Sequence, residues 1–430
     1  MKQSIARSFD IFANKLVQFS QERGRISWWI FLFVLALTLV SITPIPGHSQ
    51  TSSSDNRICQ TDSRKEIRGV WLTNIDSDIL FEADKTKEAI ALLAQANFNT
   101  LYPTVWNWGY TLYPSQVSAE FTGLPLDPTE GLQGRDVLTE IVAEGHQQGM
   151  SVIPWFEFGF MAPADSELAK RHPEWLTTRQ DGSSIWWEGK VHQRVWLNPL
   201  RPDVQQFMTD LIVEIVSNYD IDGIQLDDHF GYPSELGYDD YTVKLYQSEH
   251  EGKLPPNNSK DSAWVRWRAD KITAYVEKLF HEIKKHNPQA IVSVSPNPQN
   301  FSLNSFLLDW YKWERKGLIE ELIVQVYRDS NDSFVRELKQ PEIVAAKSHI
   351  PVAIGILSGL KGRHILWHKI YKQVKIAREH KFAGVSFFFY ESLWNLAMES
   401  PLRRQAAFKK LFHRQAQRSR VSDCEFFSQQ

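Results

Sequence analysis

From residue 67 onward, the chain alternates short runs of β-branched and aromatic residues with longer runs whose apolar residues recur every three or four positions. The short runs predict strands, and the longer periodic runs predict amphipathic helices. The predicted strands cover residues 67–74, 100–106, 151–158, 221–228, 290–297, 321–328, 351–358 and 383–391. The predicted helices cover residues 85–96, 136–148, 202–218, 264–286, 333–347 and 364–380.

The spacing of the eight predicted strands indicates a repeated unit. Their starts lie 33, 51, 70, 69, 31, 30 and 32 residues apart, so four of the seven intervals match a βαβ unit of about 30 residues. Eight such units favour an α/β fold of the TIM (β/α)8 barrel type. An open doubly wound sheet is the alternative, but its glycine-rich phosphate-binding motifs are absent from the sequence. The longest intervals predict long loops after strands 2, 3 and 4, on the carboxyl-terminal face where barrel enzymes build their sites.

A hydrophobic segment at residues 26–42 predicts where in the cell the rest of the chain is located. It has 17 residues without a charge and follows Arg23 and Arg25, so the rest of the chain is expected to be exported. The segment is at the short limit for a spanning helix, and Gly47 and Ser49 provide small residues for signal cleavage. A cleaved signal peptide and a plasma-membrane anchor both remain open. The predicted location is extracytoplasmic, either periplasmic or secreted.

The predicted organisation places a barrel between two terminal segments. Cys59 and Cys424 flank this barrel. A closed barrel brings its first strand and last helix together, so these cysteines could pair in an oxidising compartment. Two unrelated thiols near the chain ends are the alternative, and the sequence leaves the choice open. The predicted parts are a signal peptide or membrane anchor (1–49), a linker (50–65), the barrel (66–400) and a C-terminal helix and tail (401–430).

Charge argues against a nucleic-acid partner. The 430-residue chain has a formal net charge of -3, and because its first 49 residues carry +3, the remainder carries about -6. Such a surface offers little to neutralise a phosphate backbone. The sequence does not indicate an oligomeric state.

Aromatic residues are abundant, with 16 Trp, 13 Tyr and 25 Phe. Many lie in the long loops, where flat rings could line a cleft and stack on sugars. The alternative is that these rings pack the loops together. The rings in question are Trp106, Trp108, Tyr110, Tyr113, Trp175, Trp186, Trp187, Trp196, Tyr232, Tyr238 and Tyr241.

The fourth predicted strand ends in Asp222-Gly-Ile-Gln-Leu-Asp-Asp-His229. Side chains alternate along a barrel strand, so if Ile224 and Leu226 face the helices, Asp227 faces the lumen. A carboxylate there is costly unless it is paired or has a function. Asp228 points the other way, which favours a place on the rim or a capping role in the next loop.

Two further carboxyl groups, Glu157 and Glu391, stand at the ends of the third and eighth strands. Glycoside hydrolysis needs one protonated and one ionised carboxyl group. We predict that Asp227 is the ionised group and that Glu157, Asp228 or Glu391 is the acid. Glu157 fits best, because neighbouring aromatic rings would dry its surroundings and raise its pKa. For Glu391, an ion pair with Arg328 is the alternative.

Polar and aromatic residues near the other strand ends are predicted to bind the substrate. The sequence holds no G-x-S-x-G and no H-E-x-x-H, which removes the common esterase and metalloprotease signatures. The predicted substrate-binding residues are Asn74, Trp106, Trp155, Gln225, His229, Asn297, Gln325 and Tyr327.

Several sequence motifs, spread over about residues 66–400, occur in the same order as in one known family. This order resembles the glycosyl hydrolase-like 10 family, in particular its cyanobacterial members. The resemblance implies a TIM-barrel glycosidase, and some members of that family act on bacterial cell-wall glycan; the family's Asp-Asp motif falls on Asp227 and Asp228. The motifs are Arg68-Gly-Val-Trp-Leu-Thr73, Tyr102-Pro-Thr-Val-Trp106, His172-Pro-Glu-Trp-Leu176, Leu197-Asn-Pro199, the fourth-strand run and Val292-Ser-Val-Ser-Pro296.

The run Gly-Ile-Gln-Leu-Asp also resembles α-amylase-type barrels, whose fourth-strand Asp is the nucleophile. Those enzymes place a Glu acid after the fifth strand, where this sequence has Asn297. The identity of the acid therefore stays open at this stage.

We expect an exported glycoside hydrolase that acts on a polysaccharide, with cell-wall peptidoglycan as one such glycan and with no cofactor or metal. A membrane contact is expected through residues 26–42 if they are not cleaved. One alternative is a non-catalytic glycan-binding barrel displayed on the membrane. Another is a metal-dependent polysaccharide deacetylase that uses Asp227 and Asp228, with His364 and His368 four residues apart on one helical face.

Overall fold

A computed structural model describes residues 65–423. The predictions for segment 26–42 and for the pair Cys59 and Cys424 therefore lie outside the described residues. Every helix described between residues 65 and 423 falls short of the length or the hydropathy that a bilayer-spanning segment needs.

One parallel sheet forms the centre of the molecule. Its nine strands lie side by side in the order 151–152, 100–103, 67–72, 384–388, 352–357, 321–325, 291–295, 223–227 and 155–156. The other strands form small antiparallel pairs and one three-stranded sheet in the loops. The strands are β1 (Ile67–Leu72), β2 (Thr100–Pro103), β3 (Trp106–Asn107), β4 (Tyr110–Thr111), β5 (Ser151–Val152), β6 (Trp155–Phe156), β7 (Met161–Pro163), β8 (Trp186–Glu188), β9 (His192–Trp196), β10 (Gly223–Asp227), β11 (Ile291–Ser295), β12 (Glu321–Gln325), β13 (Val352–Leu357), β14 (Gly359–Leu360), β15 (Arg363–His364) and β16 (Gly384–Phe388).

The two strands at the ends of this sheet, β5 and β6, are consecutive segments of one stretch of chain. Ile153 between them donates its N–H to Leu101 O (2.9 Å), and Gln225 N–H donates to Pro154 O (2.8 Å). The same stretch is therefore bonded to β2 on one side and to β10 on the other, and the sheet closes on itself. The predicted α/β fold with a parallel sheet is confirmed. The third predicted strand is split at Pro154, which has no N–H to donate.

Helices connect the successive strands of the sheet. The four predicted helices at 85–96, 136–148, 202–218 and 264–286 match observed helices within two residues at each end. The helices are α1 (Ala83–Gln95), α2 (Gln116–Thr122), α3 (Val137–Gln147), α4 (Glu167–Arg171), α5 (Pro202–Asn218), α6 (Asp240–Glu249), α7 (Ser262–His286), α8 (Gln299–Phe306), α9 (Trp310–Arg315), α10 (Asn331–Leu338), α11 (Pro341–Ala346), α12 (Trp367–Glu379), α13 (Tyr390–Leu393) and α14 (Pro401–Leu411).

Two helix predictions need correction. The predicted helix at 333–347 is two helices, α10 and α11, because Pro341 lacks an N–H and starts a new helix. The predicted helix at 364–380 begins only at Trp367, and His364 lies in β15. His364 and His368 therefore do not share a helical face, so the histidine pair proposed for a deacetylase is wrong.

Long connections follow β2, β6 and β10 on the carboxyl-terminal side of the sheet. Five of the eleven rings predicted to line a cleft are buried in the cores of these loops: Trp106, Tyr113, Trp175, Trp196 and Tyr232. Five others are half-buried, and Trp187, on β8, has 48% of its surface exposed. The prediction of a long cleft lined by all these rings is therefore not met, because large loops need apolar cores of their own.

The chain after α14 closes the amino-terminal end of the lumen. Asn97 and Asn99 donate side-chain hydrogen bonds to Phe412 O and Ala416 O. Arg418 then pairs with the buried carboxylate of Glu321, the first residue of β12. Glu321 also accepts hydrogen bonds from Tyr102 Oη (3.0 Å) and Ser293 Oγ (2.8 Å).

The Arg418–Glu321 pair gives a test of this closure. Arg418→Leu should lower the free energy of unfolding by about 3–5 kcal/mol, because it leaves a buried carboxylate without its cation. Urea unfolding followed by tryptophan fluorescence measures this change. Arg420→Leu is the matched control: its side chain is 57% exposed and lies 3.6 Å from Asp222, so a change of at most about 1 kcal/mol is expected. Equal losses in the two variants would contradict the assignment.

Candidate active site

Four neighbouring strands bring polar side chains together at the carboxyl-terminal edge of the sheet. The strands β12, β11 and β10 end in Gln325, Ser295 and Asp227, and Glu157 directly follows β6. Parallel strands end at the same edge, so the order of the sheet sets these groups side by side.

Asp227 is the central carboxyl group and is only 3% exposed. Its Oδ1 accepts hydrogen bonds from Ser295 Oγ (2.9 Å) and Gln325 Nε2 (2.9 Å). Its Oδ2 lies 3.1 Å from His229 Nδ1. Because an ionised carboxylate is an acceptor only, this set of donors matches the ionised form.

His229 provides a cation beside the two aspartates. Its Nδ1 donates to Glu157 O (2.8 Å) and lies 3.4 Å from Asp228 Oδ1. Burial alone would lower the pKa of His229, but the charges of Asp228 and Asp227 and the hydrogen bond to Asp227 raise this pKa to about 10. At neutral pH the ring is therefore an imidazolium.

The loop after β6 packs directly on the backbone of His229. Gly159 has a φ of 48°, and a Cβ at this position would lie 2.4 Å from His229 O. Phe160 N–H donates to the same carbonyl (3.0 Å). Only glycine permits this approach, which links the backbones that carry Glu157 and His229.

Asp228 is buried and accepts a hydrogen bond from Asn297 Nδ2. Burial, together with the charge of Asp227, holds the pKa of Asp228 well above its ordinary value. The backbone carbonyl of Asn297 accepts hydrogen bonds from Ser302 Oγ (2.8 Å) and Trp310 Nε1 (3.0 Å). Asn297 thus connects Asp228 to the loop after β11.

Glu157 is 4% exposed, and one of its two oxygens is heavily bonded. Oε2 accepts hydrogen bonds from Thr73 Oγ1 (3.3 Å), Thr104 Oγ1 (3.1 Å) and Asn107 Nδ2 (2.8 Å). Among the described residues, no hydrogen bond reaches Oε1. Burial and the charge of Asp227 raise the pKa of Glu157 to about 8. At neutral pH this carboxyl group is protonated.

Opposite charges are paired within the cluster. Asp227 lies beside the imidazolium of His229, and Glu157 is protonated at neutral pH. This pairing avoids the large cost of a lone charge in a buried site. A protonated carboxyl group, Glu157, and an ionised one, Asp227, thus occupy one site. Acid-assisted chemistry requires this arrangement.

Glu391 lies apart from this cluster, in the first turn of α13. It accepts hydrogen bonds from Ser77 Oγ (3.1 Å) and Asn395 Nδ2 (2.6 Å). Burial raises the pKa of Glu391 as well. Arg328 pairs with Glu337 (3.1 Å), so the alternative that Arg328 holds Glu391 is wrong.

Two predicted substrate-binding residues are structural. Gln225 is fully buried one layer below Asp227, where it accepts from Trp71 Nε1 (2.7 Å) and donates to Ser293 Oγ (3.0 Å). Trp106 is also fully buried, and its Nε1 donates to Gly159 O (2.9 Å). Groups without exposed surface cannot touch a substrate in this conformation, so both assignments are revised.

The remaining predicted binding residues lie at or near the cluster. Trp155 packs against Phe388 in the lumen (ring centroids 6.3 Å apart), and its Nε1 has no partner among the described residues. The phenol of Tyr327 lies near the carboxyl groups of the cluster. Its pKa is held well above the ordinary value, mainly by burial and then by the charges of Asp227, Asp228 and Glu157. Asn74 is linked to Glu157 through Asn107.

Four residues of the cluster were not singled out from the sequence: Thr73, Thr104, Ser295 and Asn107. Thr73 and Thr104 directly follow β1 and β2, so a search of every strand end could have found them. Asn107 lies in the short strand β3, inside a long loop, where no periodic pattern predicts an orientation.

One ligand atom each from Asp227, Asp228 and His229 lies within 4.8 Å of the others, a spacing that could hold a metal ion. The Nδ1 atom that lies nearest to both aspartates carries a proton toward Glu157 O. A metal ligand needs a free lone pair, so this nitrogen fits hydrogen bonding better than metal binding.

Comparison with known proteins identifies the family. The model of the glycosyl hydrolase-like 10 family matches residues 66–375. The chain belongs to this family. The chain is similar to glycosyl hydrolase DigH of Escherichia coli K12, at 24% identity over 348 residues, which covers 69% of this chain and 74% of DigH. It is also similar to glycosyl hydrolase YngK of Bacillus subtilis, at 25% identity over 255 residues, which covers 54% of this chain and 45% of YngK.

Solved structures share the fold. The glycoside hydrolase domain of PgaB from Bordetella bronchiseptica superposes with a TM-score of 0.55 at 11% identity, over 78% of this chain and 99% of that domain. A β-galactosidase from Bacillus circulans gives a TM-score of 0.56 at 13% identity, over 81% of this chain and 56% of that enzyme. At these identities the likeness shows the fold alone.

The raised pKa of Glu157 predicts a pH-dependent stability. The folded protein holds the Glu157 proton up to about pH 8, whereas the unfolded chain releases it near its ordinary pKa of about 4.3. The contribution of this group is therefore fully present below the unfolded pKa and is lost as pH rises to about 8. Glu157→Gln removes this loss, so its urea midpoint should fall less steeply than that of the wild type between pH 5 and about 8. The exposed control Glu251→Gln should keep the wild-type slope; parallel curves for wild type and Glu157→Gln would contradict the raised pKa.

Proposed function

We propose that the protein is an exported glycoside hydrolase that cleaves a polysaccharide with Glu157 as the acid and Asp227 as the ionised carboxylate. The proposal rests mainly on the two buried carboxyl groups of opposite protonation at the ends of β6 and β10. Membership of a glycosyl hydrolase-like family supports a hydrolase that acts on glycans. The sequence segment 26–42 supports export.

In the proposed reaction, Oε1 of Glu157 donates its proton to the glycosidic oxygen as the bond to the anomeric carbon breaks. The positive charge that develops on the sugar ring lies near the carboxylate of Asp227. Asp227 then either attacks the anomeric carbon or activates a water molecule, according to whether the enzyme retains or inverts configuration. Glu157 is ionised after its transfer and regains a proton from the incoming water in the retaining case or from solvent in the inverting case.

We propose a cell-wall glycan, the peptidoglycan strand, as the substrate. An enzyme exported beyond the cytoplasm, or anchored through residues 26–42, meets such polymers directly. Incubation of the purified protein with peptidoglycan, both intact and stripped of peptides, followed by mass analysis of the products, tests this assignment. If neither glycan yields products, the same assay on other exported polysaccharides separates a wrong substrate from a wrong reaction.

Variants of the carboxyl groups test the mechanism. Asp227→Asn and Glu157→Gln should each lower turnover by at least about 10²-fold, because each removes a group that acts in the transition state. Glycan binding, measured by pull-down with the insoluble polymer, should change little. The matched control is Glu391→Gln, which removes a carboxyl group outside the cluster and should keep nearly wild-type turnover. Near-wild-type rates for Asp227→Asn would dismiss the mechanism, whereas glycan binding without any turnover in the wild type would favour a glycan-binding protein.

The pH profile provides a second test. The acid works only while protonated, so kcat/KM should fall above the Glu157 pKa of about 8. The rate should drop about tenfold for each further pH unit. A descending limb that begins below pH 6 would show that a carboxyl group with an ordinary pKa, rather than Glu157, is the acid.

A further inference from the structure

The side chain of Asn107 connects three loops beside Glu157. It is fully buried, and its Nδ2 donates to Glu157 Oε2 (2.8 Å) and to Asn74 Oδ1 (2.8 Å). Both hydrogens of the amide are thereby used. The Oδ1 atom of Asn107 has no partner among the described residues. The amide is therefore oriented through its NH₂ group alone.

The three donors to Glu157 Oε2 differ in chemistry. Thr73 and Thr104 contribute hydroxyl groups, which can rotate and accept a hydrogen bond instead of donating one. The NH₂ group of Asn107 can only donate, and it makes the shortest of the three contacts. In a neutral carboxyl group the carbonyl oxygen is the better acceptor, so the three donors on Oε2, and above all the obligate donor Asn107, favour Oε2 as the carbonyl oxygen. Of the two oxygens, Oε1 is left to carry the proton of the neutral carboxyl group.

Resting on the proposed function, we infer that Asn107 is a positioning residue that fixes the acidic proton of Glu157 on Oε1, the oxygen that remains free for the glycosidic bond. Other groups near Glu157 are titratable: Asp227 and His229 at the end of β10, and the hydroxyl of Tyr327 after β12.

Two substitutions separate positioning from packing. Asn107→Ala removes the donor, so Oε2 can also hold the proton and the ionised form of Glu157 loses a hydrogen bond. Asn107→Asp keeps the shape but replaces the donor by an acceptor, which draws the proton toward Oε2. Both changes should raise the pKa of Glu157 from about 8 toward about 9. Both should lower kcat by about tenfold or more, with Asn107→Asp the slower variant and KM little changed.

Asn198→Ala is the matched control for loss of a buried amide. Asn198 is buried in the loop after β9, and its Nδ2 also bridges two side chains, Asp239 (3.0 Å) and Thr242 (2.8 Å). It has no hydrogen bond to Glu157. This variant should lower the urea midpoint while leaving the Glu157 titration at about 8.

The titration is measured directly by carbon-13 NMR of protein labelled at the glutamate carboxyl carbon, with the Glu157 signal assigned by its loss in Glu157→Gln. The inference requires an upward shift in both Asn107 variants and none in Asn198→Ala. An unchanged titration in Asn107→Ala and Asn107→Asp overturns it, whether or not the protein cleaves glycan. If the titration shifts as expected but the wild type cleaves no glycan, the proposed function fails while the effect of Asn107 on the carboxyl group stands.

Discussion

The ionised carboxylate of Asp227 in a nearly dry lumen is the constraint on which the site depends. Such a charge is tolerated only because Ser295 and Gln325 donate to one oxygen and His229 lies beside the other. The same charge raises the pKa of Glu157 and of Asp228, after the larger effect of burial. One buried anion thus adds to the effect of burial on the pKa of both neighbours, and removing this anion would lower the pKa of each.

The polar interior below the cluster shows how the fold supports this charge. Arg418 enters from the amino-terminal end and pairs with Glu321, which accepts from Ser293; Ser293 in turn accepts from Gln225. Each of these four side chains therefore has a polar partner on a neighbouring strand or in the C-terminal segment. The chain beyond α14 takes part in this network through Arg418.

Sequence patterns predict those features that follow from strand periodicity. The alternation in β10 puts Ile224 and Leu226 on one face and Asp227 on the other, and the order of strand ends brings Glu157 beside it. The same rule places Gln225 in the lumen but does not predict how deep it lies. The pattern therefore predicts a substrate contact at Gln225, although this residue is packed below the site. Trp106 and Asn107 belong to an insertion without periodicity, and their roles depend on how three loops meet.

The position of the proposed acid follows from the neighbours of β10. In α-amylase-type barrels the acid follows the fifth strand; here that side of β10 holds Asn297, whose amide is already committed to Asp228. The other neighbour of β10 is β6, and Glu157 follows it directly. An acid from β6 is as close in the sheet to Asp227 as one from β11 would be, and the chemistry requires only that two carboxyl groups flank the scissile bond. An acid on β6 in place of one on β11 therefore preserves the reaction that we propose. It also gives the acid a different set of hydrogen-bond donors, among which the NH₂ group of Asn107 is the one that cannot act as an acceptor.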